Sequence, residues 1–126
     1  MNTAARIQQL PRKASREQRR QQLIEATIST ISRKGFAQTT LTEVARAAGL
    51  SHGLVNFHFQ TKEQLLTETL LFLAGEYRDN WMAALAKAPP VPAAQLDALL
   101  RADFNPLLCT HERLTAWCAF WGEAQS

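Results

Sequence analysis

Between Thr40 and Lys62 the chain gathers side chains that trade hydrogen bonds: the hydroxyls of Thr40, Thr42 and Ser51, the imidazoles of His52 and His58, the Asn56 carboxamide and the Lys62 ammonium, with Gly53 and Phe57 among them. Groups of this kind grip a polar or anionic partner; they do not by themselves make or break bonds. Elsewhere there is no nucleophile–base–orienter set, no paired carboxylates, no phosphate-cradling loop and no metal-ligand spacing, and Cys109 with His111 is too thin a pair to count. The sequence thus points away from an enzyme and implies neither a cofactor nor a metal.

Two short helices must position these residues. Leu41, Val44, Ala45 and Ala48 follow the spacing that puts apolar groups on one helical face, and Thr40 with Glu43 forms a capping box at its start. Gly49 falls where the chain must reverse, a place for the left-handed conformation that glycine takes without a Cβ clash. Ser51 then caps a second helix, with Val55 and Phe59 on the buried side and Gly53, Asn56 and Phe57 facing away, a strip free to enter a groove. The arrangement reads as a helix-turn-helix.

Charge supports a polyanionic partner for this part of the chain. Residues 1–66 hold ten Lys and Arg against four Asp and Glu, whereas the remainder holds four against seven. At 126 residues and 46% hydrophobic content the chain is one domain, or one small domain plus part of another. With no apolar run of about 18 residues and no apolar N-terminal signal, it reads as cytoplasmic and without a membrane partner. Cys109 and Cys118 read as free thiols.

Taken in order, residues 1–14 read as a flexible basic arm bearing Arg6, Arg12 and Lys13, which either tracks phosphates beside the main contact or is a solvated tail. A first helix should run from a Ser15–Gln18 capping box to Lys34, with Ile24, Ile28 and Ile31 as its core face and Gly35 as its stop. Arg16, Arg19 and Arg20 crowd its first turns, where the helix dipole disfavours cations, which hints at an external anion. Phe36 should pack beneath the helix-turn-helix. A third capping box, Thr61 with Gln64, opens a long helix from Lys62 to about Ala88 whose face includes Leu66, Leu70, Leu73 and Tyr77. Pro89, Pro90 and Pro92 form a linker; a helix over about 93–104 should turn Leu96, Leu99, Leu100 and Phe104 inward; and a last helix from about Thr110 carries Leu114, Trp117, Phe120 and Trp121. The fold class is therefore all-α, in three parts: the arm at 1–14, a basic head with its helix-turn-helix at 15–61, and at 62–126 a long connecting helix with part of a further helical domain. The end at Ser126, without a helix stop, reads as cut short.

The run Thr40 to Leu66, TLTEVARAAGLSHGLVNFHFQTKEQLL, resembles the DNA-binding head of TetR-type transcriptional repressors, whose pattern is close to T-x-x-x-I-A-x-x-A-G-V-S-x-G-x-L-Y-x-H-F-x-x-K-x-x-L. Asn56 stands where that pattern has Tyr. A narrower similarity, to the choline-responsive betaine-operon repressors, lies in AGLSHGLVNFHF and in AWCAFW at residues 116–121.

The resemblance implies that the head at 15–61 is DNA-binding and the further domain regulatory, with a recognition helix in the major groove of double-stranded DNA and a homodimer matched to a palindromic operator. Within it, His52 and Asn56 suit base edges, Gly53 allows close backbone approach, and Phe57 suits a thymine methyl or a sugar. Thr40, Thr42, Ser51, His58 and Lys62 suit phosphates. For Thr40 and Ser51 the plain alternative is capping alone, and His111 reads as a surface residue. Choline is the sharpest inducer candidate, with Trp117, Phe120 and Trp121 as its aromatic contacts and Tyr77 or Trp81 as further candidates; the alternative is that these rings are core. A second class of function is a shortened helical interaction module that antagonises a full-length relative through mixed dimers.

Overall fold

The structure, a computed structural model, describes residues 13–126, so the arm expected over 1–14 lies almost wholly outside the described residues. Among the described residues there are six helices: α1 (Arg16–Lys34), α2 (Leu41–Ala48), α3 (His52–His58), α4 (Lys62–Lys87), α5 (Pro92–Ala102) and α6 (His111–Ala124).

The helix starts fall where the cap residues predict. Ser15 and Gln18 make the full reciprocal box. The other two boxes are half formed. Thr40 Oγ1 accepts from the Glu43 N–H at 3.2 Å, but the Glu43 carboxylate turns to Lys34, 2.8 Å away, and to Arg46. Those cations, Lys34 first, hold it below the usual carboxylate range. Thr61 Oγ1 accepts from the Gln64 N–H at 3.1 Å, and the Gln64 carboxamide oxygen takes the Gln60 N–H rather than that of the cap. Gly49 closes α2 in the left-handed region (φ 67°, ψ 31°).

Helix α1 is the hub. The three predicted isoleucines are buried, yet so is every residue from Gln22 to Ile31, polar ones included. One amphipathic face was the expectation; helices pack around α1 on nearly all sides. Two of its buried polar residues are satisfied locally, the Thr27 and Thr30 hydroxyls donating to the carbonyls of Leu23 and Ala26, each at 2.7 Å, while Gln22 and Glu25 find partners on α2 and α6. Around it lie Val44, Ala45 and Ala48 of α2, Val55 and Phe59 after the turn, Leu65, Leu66 and Leu73 of α4, and Ala116 of α6.

Helix α6 packs directly on α1, and Phe36 meets Phe120 edge to face at 5.4 Å, so the expected core role of Phe36 includes a contact with the last helix. Helix α4, 26 residues long, extends roughly 39 Å at about 1.5 Å per residue. Its far half carries α5 through Asn80, whose Nδ2 donates to the Ala102 carbonyl and whose Oδ1 accepts from Asn105 Nδ2, both at 2.8 Å.

The 62–126 part departs from its sequence pattern. Pro92 is not linker but the first residue of α5, a position where its missing N–H costs nothing. Helix α5 ends at Ala102, short of the expected Phe104. Leu96, Leu100 and Phe104, expected inward, are exposed, because α5 rests on α4 through a narrow contact ending at the buried Ala102. No described helix is long and apolar enough to cross a membrane.

Candidate nucleic-acid interface and ligand cavity

Helix α3 is held from behind and open in front. Val55 and Phe59 are fully buried, while Ser51, His52, Gly53, Asn56 and Phe57 are exposed. Ser51 Oγ accepts from the Leu54 N–H at 3.1 Å, and Thr40 does the same for α2; each hydroxyl keeps its own hydrogen for an outside acceptor. Capping and phosphate contact are thus compatible. A Cβ built on Gly53 would meet no atom within 4 Å, and its φ is not positive, so nothing inside the fold requires glycine there. The freedom lies toward an approaching partner.

Thr42 is exposed beside Thr40. Lys62 opens α4; its Nζ donates to the Ala37 carbonyl at 3.3 Å and stands 6.0 Å from the Phe36 ring centroid, which keeps the cation beside the turn leading into α2.

His58 sits differently from the rest of the set. It is only 6% exposed, against 66% for its neighbour Phe57, and its Nδ1 is buried without a protein partner. Burial, aided by the charges of Arg16, Arg20 and Arg19, lowers its pKa and favours the neutral ring. Of the residues expected to meet phosphate it is the least accessible. The cause is that the chain turns back toward the core at Phe59, drawing residue 58 inward with it.

Arg16, not among the candidates read from the sequence, stands at the edge of the strip. Its guanidinium lies 5.6 Å from the Phe57 ring centroid, which places the first turn of α1 beside the exposed strip. The signal was the crowd of arginines at a helix start. Arg20, in the same crowd, is spoken for: it covers Phe59 at 4.7 Å, donates to the His58 carbonyl at 3.3 Å and pairs with Glu68 at 3.2 Å.

A second concavity of about 390 Å³ opens between α4, α5 and α6. Its aromatic wall is Tyr77, Trp117 and Trp121, with Glu76 and Asp103 as carboxylates and Asn80 as a neutral polar group. Tyr77 and Trp117 meet edge to face at 6.5 Å. Asp103 accepts from the Tyr77 hydroxyl and so raises the phenol pKa. Of the expected aromatic contacts, Trp117 and Trp121 do line this space, and so does Tyr77. Phe120 does not: it is rotated about 100° around α6 from Trp121 and packs against Phe36 at the edge of the core instead. Trp81 is not among the lining residues either.

Sequence reading missed the ionic cluster at the back of this cavity. Arg113 donates from Nε and Nη2 to the two carboxylate oxygens of Glu76, both at 2.8 Å, and from Nη2 to Glu25 of α1 at 3.0 Å. The side chains of Arg113 and Glu25 are each 8% exposed. The hydrogen bonds to Glu76, with the charge of Glu25 in support, raise the arginine pKa further despite its burial. Eighty-eight residues separate the two ends of the Glu25–Arg113 pair, and no local pattern announces a contact at that distance. Cys109 and Cys118 are free thiols, and no group of described residues is arranged to hold a metal ion.

Residues 23–69 match the family described as bacterial regulatory proteins, tetR family. Over 116 residues the chain is 37% identical to the HTH-type transcriptional regulator BetI of Rhizobium meliloti, spanning 92% of this chain and 57% of that protein. Over 118 residues it is 36% identical to BetI of Paraburkholderia phymatum, spanning 91% and 59%. The chain thus spans rather more than half the length of the relatives it matches. Among solved structures, a candidate transcriptional regulator from Pseudomonas aeruginosa PAO1 superimposes with a TM-score of 0.79 at 34% identity, covering 99% of this chain and 58% of the other. The fatty acid degradation regulator FadR from Bacillus halodurans, at 24% identity and a TM-score of 0.70, shares the fold.

Proposed function

Because the chain belongs to the TetR family of bacterial regulators through its helix-turn-helix head, we propose that it is a cytoplasmic DNA-binding repressor that answers to a small cation. The observation that carries the DNA half is the exposed strip His52–Gly53–Asn56–Phe57 on a helix anchored by Val55 and Phe59. His52 and Asn56 present donors and acceptors to base edges; Thr40, Thr42, Ser51 and Lys62, with Arg16 added, serve the phosphates and set register. His58 acts from behind, setting the angle of Phe57, whose ring it meets edge to face at 5.2 Å. Two copies of the head on a palindromic operator would complete the site.

The inducer half rests on the cavity. Aromatic faces attract a quaternary ammonium, which offers no N–H donor, and Tyr77, Trp117 and Trp121 stand there with the carboxylates of Glu76 and Asp103. Choline fits this lining, and a ligand seated there weakens operator binding by favouring a different arrangement of α4 and α6 against the head. The regulators named BetI, to which the chain is similar, lead to the same candidate.

A shift titration against palindromic duplexes from the chain's own promoter neighbourhood tests the first half: binding that prefers one sequence and weakens steeply with salt supports it. Salt-insensitive association with a related full-length protein, and no DNA shift, supports instead the interaction module, a reading favoured by the exposed Leu96, Leu100, Phe104 and Leu107. Isothermal titration with choline tests the second half; no heat, or unchanged affinity in Trp117→Ala, removes the aromatic cage.

A further inference from the structure

The buried Arg113 cluster has an unusual position: one carboxylate partner lines the cavity and the other belongs to the helix on which the head is built. Glu76 faces the cavity and has both oxygens engaged by Arg113; the same Nη2 that serves Glu76 also reaches Glu25, so the guanidinium divides one nitrogen between the two. Any partner that draws Glu76 toward the cavity changes how that nitrogen is shared.

Glu25 sits in the segment of α1 that holds both helices of the reading head. Three residues before it, Gln22 Nε2 donates to the Ala48 carbonyl at 3.2 Å, at the end of α2. Five residues before it, Arg20 donates to the His58 carbonyl at the end of α3. A displacement of this stretch of α1 therefore moves the ends of α2 and α3 together. Glu25 also accepts from Gln21 Nε2 at 3.4 Å, within α1 itself, while Arg113 ties it to α6.

We propose that Glu25, Arg113 and Glu76 form the coupling element between cavity and head: a cation bound against the aromatic wall competes with Arg113 for Glu76, and the resulting shift of the guanidinium repositions α1 and with it the reading helices. This rests on the cation-responsive reading above. Glu25 and Arg113 are here positioning residues, acting on the DNA contacts through α1.

The test separates binding from coupling. Choline binding to the full chain is followed by tryptophan fluorescence, and affinity for a palindromic duplex is measured with and without saturating choline. In the wild type choline should weaken DNA binding by about fivefold or more, the ordinary range for coupled sites. Glu25→Gln should bind choline within about threefold of wild type, yet choline should change its DNA affinity by less than about twofold. A merely structural pair would alter melting without altering this ratio, so a wild-type ratio in Glu25→Gln overturns the proposal. So does wild-type choline binding that leaves DNA affinity untouched. Absence of choline binding to the wild type instead defeats the ligand reading, and the coupling with it. Should Glu25→Gln fail to fold by far-UV circular dichroism, Arg113→Lys, which keeps the charge but loses the fork, carries the same test; an undiminished ratio there is equally fatal.

Discussion

Replacing Arg113 with Met is the perturbation for which the structure gives the clearest magnitude. The substitution keeps an unbranched apolar stem and removes the guanidinium, leaving the Glu25 and Glu76 carboxylates, 8% and 23% exposed, close together without a counter-charge. Breaking a buried pair by removing one member costs about 3–5 kcal/mol, and the partial exposure of Glu76 places this case near the lower figure, about 3 kcal/mol. That is a large fraction of the roughly 5–15 kcal/mol that holds a domain folded. In a thermal melt it corresponds to a fall of roughly 10 °C for a chain of this size. Chemical denaturation followed by far-UV circular dichroism measures the same loss as a drop in midpoint at unchanged slope. There is a second signature. An orphaned buried carboxylate has its pKa raised above its unfolded value of about 4.3, so it adds stability as the pH falls through the folded pKa. The deficit of the variant relative to wild type should therefore shrink between pH about 7 and pH about 5. A loss below about 1 kcal/mol, the level of a surface ion pair, or a deficit indifferent to pH, would refute the reasoning.

Other outcomes follow from individual contacts. His58 has a folded pKa below its unfolded value, so it contributes stability that is present above the unfolded pKa and lost as the pH falls toward the folded one. Wild-type stability should decline from pH about 7.5 to about 5.5, and His58→Gln should flatten that decline. Gly49→Ala places a Cβ at φ 67° with no atom within 4 Å to clash, so only backbone strain remains, at about 1–2 kcal/mol in a denaturation midpoint. Gly53→Ala should do the reverse: its ordinary helical backbone gains up to about 1 kcal/mol of stability, while DNA affinity falls as the added methyl meets the groove. Asn56→Ala should cost about 1–3 kcal/mol of discrimination at one base position. Lys62→Ala should weaken all sequences alike and lower the salt slope by about one, both read from fluorescence anisotropy.

The head was legible because its determinants are local. Ser15, Thr40, Ser51 and Thr61 each cap the helix that follows within three residues, and Gly35 and Gly49 end α1 and α2. Spacing alone put Val55 and Phe59 on one side of the turn and Asn56 and Phe57 on the other. The body was less legible because helical periodicity names a face without naming what covers it. Trp117, Phe120 and Trp121 share a face by count, yet Phe120 finds Phe36, Trp117 lies at the rim between core and cavity, and Trp121 is 65% exposed. The burial of α1 on all sides was hidden for another reason. Thr27, Thr30 and Glu25 look like solvent-facing positions, and what permits their burial is a backbone acceptor one turn back for each threonine and an arginine far along the chain for the glutamate. His58 is buried although its place in the H-F pair speaks for contact, because the return of the chain at Phe59 draws it inward.

The all-round burial of α1 also governs how the molecule can be divided. A cut at the start of α4, where the sequence draws its boundary, would not free a reading head, because the seam between the two parts runs along α1 rather than past its end. The severed piece would expose Leu23-to-Ile31 surface that α4 and α6 now cover, including a glutamate stripped of its Arg113 partner. A minimal reader therefore has to be redesigned rather than excised, with Glu25 made neutral and a new polar flank written onto the side of α1 that α6 vacates.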